Sequence, residues 1–204
     1  MSFAAYEPDG GGERVPLTVR PAVESDVEAM AAVGLRASRA VRPDAYRRAV
    51  GDQDRCVLVA TIAPDLAPDL ARDLGLDVEP GPGGGAVVGW GQTSLRTAVT
   101  DPAPAGHYLG GVTVDPRLRR RGVATALTQA RIDWVAVRAP EVFFVVNSRN
   151  LASIALHRPW HFVEVARGPR LAGVTFEGGL GLLLRAPLAR PDGAPPPEGA
   201  PAAT

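Results

Sequence analysis

Residues 112–125 read Val-Thr-Val-Asp-Pro-Arg-Leu-Arg-Arg-Arg-Gly-Val-Ala-Thr: a strand, a proline stop, a run of arginines, one glycine and a helix start. The first N–H groups of a helix lack internal partners, and the helix dipole adds positive potential there. Such an end suits an anion, phosphate above all. Gly122 and Ala124 matter because bulkier side chains would hold a pyrophosphate away from those N–H groups. Arg119, Arg120 and Arg121 add charge around the same place, and the Thr125 hydroxyl can donate a further bond. The bland alternative is an ordinary strand-to-helix turn with a solvated basic face. The residues alone leave both readings open.

The other groups able to do chemistry are few. The chain has 3 histidines, His107, His157 and His161, and one cysteine, Cys56. His157 and His161 are four apart, a zinc-like spacing, but Pro159 interrupts the helix that would align them. A metal site is not expected. His107 reads as a strand-end surface residue. Cys56 begins an apolar run to Ala60 and reads as a small core residue in a reducing compartment, with no intrachain disulfide available. Gly81-Pro-Gly83-Gly-Gly-Ala86 fits a dinucleotide fingerprint in letters, yet it precedes a strand instead of joining strand to helix.

Composition excludes whole classes of function. All 22 basic residues are arginine, which removes lysine Schiff bases, pyridoxal enzymes and the P-loop lysine. The 22 acidic residues balance them, so no global field draws the chain to nucleic acid or an anionic membrane. Arg117 to Arg121 lack the interleaved aromatics of a nucleic-acid surface. No apolar run approaches the roughly 18 residues needed to span a bilayer, and no signal peptide is read. A cytoplasmic protein is expected. Ala/Gly/Pro/Arg richness suggests GC-rich codons and a bacterial source. Aromatics are 5% of the chain against 46% hydrophobic residues, so Val, Leu and Ala must fill the core.

The positioning elements follow from pattern. Residues 1–14 and 189–204 read as disordered tails, leaving one folded domain over 15–188. Strands are expected at 15–20, 56–62, 86–95, 107–114, 142–146, 162–166 and 179–185. Ser25 to Glu28 looks like a capping box opening a helix with Val27, Met30, Ala31 and Leu35 at helical spacing. Further helices are expected at 43–50, 123–137 and 150–158. The stripe of Val123, Leu127, Ala130, Trp134 and Val137 marks the buried face of the 123–137 helix. Val142 to Val146 is so continuously apolar that its strand must be covered on both faces. Residues 63–85, Pro/Gly-rich with a near-repeat, read as a loop insertion in a hairpin. Strands alternating with helices, then a closing antiparallel pair, predict a mixed α/β sheet.

Arg119 to Ala124 spells R-x-x-G-x-A behind Val-x-Val-x-Pro, which resembles the coenzyme A signature of the GCN5-related N-acetyltransferases (GNAT). A second stretch agrees in spacing: Val146-Asn147, then Asn150, Ser153, His157 and His161-Phe162. The opening Thr18-Val19-Arg20-Pro21-Ala22 is also similar to that family, so the resemblance covers about 17–184. It implies the GNAT acyl-CoA N-acyltransferase fold: a mostly antiparallel sheet with a central parallel splayed pair and helices on both faces. It further implies acetyl-CoA held in the splay as co-substrate. Backbone groups of Val112 and Val114 would hold the pantetheine arm and thioester carbonyl. Residues 119 to 125, Val123 included, would hold the pyrophosphate, with Asn150 and Ser153 beside the pantetheine or sulfur.

Two positions depart from the family pattern. His157 stands where tyrosine is common, and His161 where glycine is common. Amide formation needs a neutral amine, a polarised carbonyl and a proton for the departing sulfur. His157 can supply that proton near neutral pH or merely pack. The strand before the turn offers no glutamate as base, so His107 or a water chain is left for that role. The implied function is transfer of an acetyl group to a primary amine of a small molecule or peptide. The alternative is a non-catalytic coenzyme A-binding module. A homodimer is allowed; nucleic acid, membrane and metal partners are not expected.

Overall fold

The computed structural model describes residues 12–62, 85–99 and 102–188. The expected tail at 189–204, the insertion at 63–85 except Gly85, and residues 1–11 of the expected N-terminal tail lie outside the described residues. Backbone proximity groups the chain into two compact units. The first comprises residues up to Ser94 with Gly110–Arg131; the second comprises Leu95–Leu109 with the residues from Ile132 onward.

In the first unit, strands β1 (Thr18–Pro21), β2 (Arg55–Ile62), β3 (Ala86–Arg96) and β4 (Gly106–Val114) lie in that order. β1 and β2 are antiparallel, as are β2 and β3. Helices α1 (Val27–Arg36) and α2 (Pro43–Val50) cover one face. Met30 and Val33 of α1 and Ala49 of α2 pack there on Val57, Val59, Val87 and Trp90. Proline at its first position explains why α2 starts where the sequence predicts. Helix α3 (Val123–Ala136) starts in this unit.

In the second unit the order is β4, β5 (Glu141–Asn147), β9 (Gly181–Pro187) and β6 (Val163–Gly168). β4 and β5 run parallel, pairing Tyr108 with Phe143 and Leu109 with Phe144. β9 is antiparallel to both its neighbours. Period-2 alternation sends Val142, Phe144 and Val146 into one cluster with Ile132 and Val135, and Phe143 into another with Tyr108 and Leu183. β5 is thus covered on both faces, as its apolar run requires. Helix α4 (Leu151–His157) follows β5 and continues as a 3-10 turn over Arg158–Trp160. A small hairpin of β7 (Arg170–Leu171) and β8 (Val174–Thr175) precedes β9.

Several expectations are corrected. The first strand begins at Thr18, not Val15. No Ser25 cap opens α1; a 3-10 turn, Glu24–Asp26, precedes it, and the Asp26 carboxylate accepts the Val23 N–H at 2.9 Å. Asp26 is gripped by Arg20 at 2.6 and 2.8 Å, which anchors the cap one turn early. Leu35 is exposed, because Val33 and Gly34 occupy the buried side of α1. α3 ends at Ala136, so Val137 lies past it and is exposed; along α3, Thr128, Arg131, Ile132 and Val135 are buried as well as Val123 and Leu127. The hairpin β7–β8 carries too few apolar residues to announce itself.

Candidate active site

The arginine turn lies in the first unit. The Asp115 N–H donates to the Val88 carbonyl at 2.9 Å, which fixes the end of β4 on β3. Pro116–Leu118 forms a 3-10 turn whose Leu118 is fully buried. The backbone then turns left-handed at Arg120, φ 63°, and again at Gly122, φ 90°, before α3 begins at Val123. Alternating backbone hand ahead of a helix N-terminus makes an anion-binding concavity. Gly122 is required there, since side chains are strained at such φ. Arg119 and Arg120 are exposed and Arg121 half-buried. Ala124 is half-buried and Thr125 exposed in the first turn of α3. Val112 and Val114 are half-buried, with Thr113 buried between them on the opposite face of β4.

Arg117 is held in an ion pair: its Nε donates to Asp115 Oδ1 at 3.0 Å and its Nη2 to Oδ2 at 2.9 Å. Arg36 Nε donates to the same carboxylate at 2.6 Å. Burial alone would raise the Asp115 carboxyl, but Arg117 and Arg36 outweigh it and hold it below the usual carboxylate range. Asp115 thereby staples the turn to α1 within this unit.

Arg131 was not legible as a structural residue, because arginine is rarely fully buried. Its Nη1 donates to the carbonyls of Gln92 at 3.1 Å and Gly110 at 3.0 Å. Nε reaches the Leu127 carbonyl at 3.1 Å, and Nη2 reaches Thr128 Oγ1 at 3.0 Å. Burial pulls the guanidinium down to about 10, with Cys56 acting in the opposite sense. Gly91 makes room: a Cβ there would lie 3.2 Å from Arg131 Cζ and Nε. Cys56 is buried and in no disulfide, the core residue its apolar run predicts.

The second unit holds both buried histidines. His157 is 3% exposed at the end of α4. It stacks on Phe144 and meets Phe162 edge-on at 5.5 Å. Its Nδ1 lies 2.8 Å from the Ser153 carbonyl oxygen. A carbonyl only accepts, so Nδ1 carries a proton and the neutral ring has its lone pair on Nε2. Asn150 Oδ1 in turn accepts the Ser153 N–H at 3.2 Å, capping α4. Asn150, Ser153 and His157 are therefore brought together along one helix. A cavity of about 60 Å³ lies beside His157, lined by Phe144, Ile154, Arg158, Phe162 and Leu184. His107 differs from the surface reading: it is buried and faces Trp134 edge-on, with 5.4 Å between ring centroids. His161 is exposed and left-handed at φ 55°, the conformation for which glycine is suited. Among the described residues, no group of three His, Cys, Asp or Glu could hold a metal ion, and no helix is long and apolar enough to cross a membrane.

Comparison with known proteins joins these observations. Residues 69–162 match the acetyltransferase (GNAT) family. No curated protein sequence matches significantly. The fold is similar to the ribosomal-protein-S18-alanine N-acetyltransferase from Escherichia coli at 18% identity, covering 85% of this chain and 95% of that one, with a TM-score of 0.59. It is similar to Arabidopsis thaliana NAA60 in complex with acetyl-CoA at 17% identity, with 83% and 97% covered and a TM-score of 0.60. A GNAT-family acetyltransferase from Streptococcus pneumoniae is 14% identical, with 85% and 100% covered and a TM-score of 0.58. At such identities the likeness is one of fold: a mostly antiparallel sheet with β4 and β5 parallel. The chain has the GNAT fold, and over residues 69–162 it is similar to the acetyltransferase (GNAT) family.

Proposed function

We propose that the protein transfers an acetyl group from acetyl-CoA to a primary amine by direct attack on the thioester. The observation that supports this most is the left-handed backbone at Arg120 and Gly122 ahead of α3, on the motif that resembles the family's coenzyme A signature. Residues 119–125 would hold the pyrophosphate through backbone N–H groups and the arginines. Backbone groups at Val112 and Val114 would hold the pantetheine and thioester.

In the reaction, the amine nitrogen attacks the carbonyl carbon, the C–S bond breaks, and the amine loses one proton while the sulfur gains one. Charge grows on the carbonyl oxygen on the way, so a fixed N–H beside it accelerates the step. His157 is assigned as the proton donor to sulfur. Its Nδ1–H is engaged by Ser153, which leaves Nε2 as the ring atom to carry that proton. Asn150 and Ser153 act by holding α4 and the His157 ring. His107, enclosed against Trp134, is assigned to packing, and water serves as base. The acceptor is a small-molecule amine or a peptide amine.

The test is thiol release from acetyl-CoA across a panel of amines, polyamines and peptide N-termini. Release that depends on one amine class identifies the acceptor. Tight coenzyme A binding with no release from any amine would make the protein a binding module instead. Arg119→Glu should weaken acetyl-CoA binding about tenfold or more at unchanged melting temperature.

A further inference from the structure

The segment before β1 lies against the arginine turn. The Val15 N–H donates to the Arg121 carbonyl at 3.3 Å. A Cβ placed on Gly12 would lie 3.4 Å from Arg121 Cγ and 3.7 Å from its Nε. A Cβ placed on Gly122 would lie 3.7 Å from Arg14 Cγ and 3.9 Å from Arg14 Cδ. These are ordinary van der Waals separations, so the aliphatic stem of Arg14 lies over the one glycine of the turn. Arg14 is nevertheless exposed, as are Arg119 and Arg120.

Arg14 therefore joins Arg119, Arg120 and Arg121 on or against a single four-residue turn. Like charges repel, by about 1 kcal/mol per pair at 4 Å even in water. A polyanion relieves that repulsion and gains from each cation. An arginine fork matches phosphate oxygens two at a time. The backbone bond at Val15 holds the segment in place, so Arg14 loses less freedom on binding than a loose tail would.

We propose that residues 12–15 strap the phosphate turn and that Arg14 is a further phosphate ligand of the coenzyme, supplied from outside the turn. This rests on the assignment of the turn to coenzyme A in the proposed function. The chemistry recognised is a phosphate, either the pyrophosphate or the 3′-phosphate of the coenzyme.

Calorimetry with coenzyme A and with dephospho-coenzyme A on the full chain tests it, using Arg14→Gln, Arg14→Lys and Arg119→Glu. Arg14→Gln should weaken coenzyme A about five- to tenfold at low salt, and Arg14→Lys should retain part of the affinity. The gap between wild type and Arg14→Gln should narrow with salt, as the Debye length falls from about 30 Å at 0.01 M to about 8 Å at 0.15 M. A strap with only a structural role would show no such salt dependence. Equal loss for both ligands assigns Arg14 to the pyrophosphate; loss for coenzyme A alone assigns it to the 3′-phosphate. Unchanged or tighter binding in Arg14→Gln, while Arg119→Glu loses affinity, overturns the strap and keeps the turn. No loss in either variant overturns the turn as well.

Discussion

The imidazole of His157 lies face to face with the ring of Phe144, their centroids 3.9 Å apart and their planes 18° from parallel. With Phe162 edge-on and Nδ1 held by the Ser153 carbonyl, the orientation of the ring is fixed.

His157→Phe keeps an aromatic ring on Phe144 and removes the proposed proton carrier together with the Nδ1–H bond to Ser153. It should lower kcat/KM about a hundredfold or more while leaving acetyl-CoA affinity nearly unchanged, since the charge it meets exists mainly in the transition state. His157→Tyr should recover part of the loss. Near-normal turnover of His157→Phe with an unaltered pH–rate profile would reassign the ring to packing.

Asp115 is a buried carboxylate held by Arg36 and Arg117, so its folded pKa lies below the unfolded value of about 3.9. The stability it contributes is fully present above that value and is lost as pH falls through the folded pKa. Asp115→Asn should destabilise the protein by about 2–3 kcal/mol near neutral pH, both arginines being partly exposed. Thermal unfolding of both proteins should show the difference constant above about pH 5 and closing below about pH 4. A pH-independent difference would mean the ion pairs contribute nothing.

Arg131→Ala removes a fully buried side chain and leaves the Gln92 and Gly110 carbonyls without this donor. The cavity and the desolvated carbonyls together should cost at least about 3 kcal/mol in urea unfolding. Arg131→Lys should rescue little, because one ammonium cannot reproduce the guanidinium fork that spans four acceptors. A loss under about 1 kcal/mol would show that water takes the guanidinium's place.

His161 is an exposed non-glycine residue at φ 55°, ψ 37°. His161→Gly should raise stability by up to about 1 kcal/mol, the relief of left-handed strain exceeding the added freedom of the unfolded chain. An unchanged or lower melting temperature would show that the imidazole makes a compensating contact. Activity should be unaffected.

What the sequence determined by itself was local. Pro43 set the start of α2, the apolar run 142–146 required a strand covered on both faces, and the proline, arginine and glycine signals at 116–124 marked a turn feeding a helix. Each depends on neighbours a few residues apart, where φ preference, pleat and chain stops act directly. The turn's candidate chemistry could be read for the same reason, since the arginines and small residues proposed for it are adjacent in the chain.

Tertiary structure decided whatever joins distant residues. Asp115 meets Arg36 across 79 positions, which no spacing rule anticipates, and the same carboxylate also holds Arg117. Arg131 is buried because Gly91 leaves space and the Gln92 and Gly110 carbonyls lie within reach of its fork, two acceptors brought together by strand pairing. Leu35 turns outward because packing of α1 on β2 and β3 selects Met30 and Val33. β9 enters between β5 and β6 although both precede it in the chain. Apolar periodicity states that a face must be covered; only the three-dimensional competition among elements decides which residue covers it.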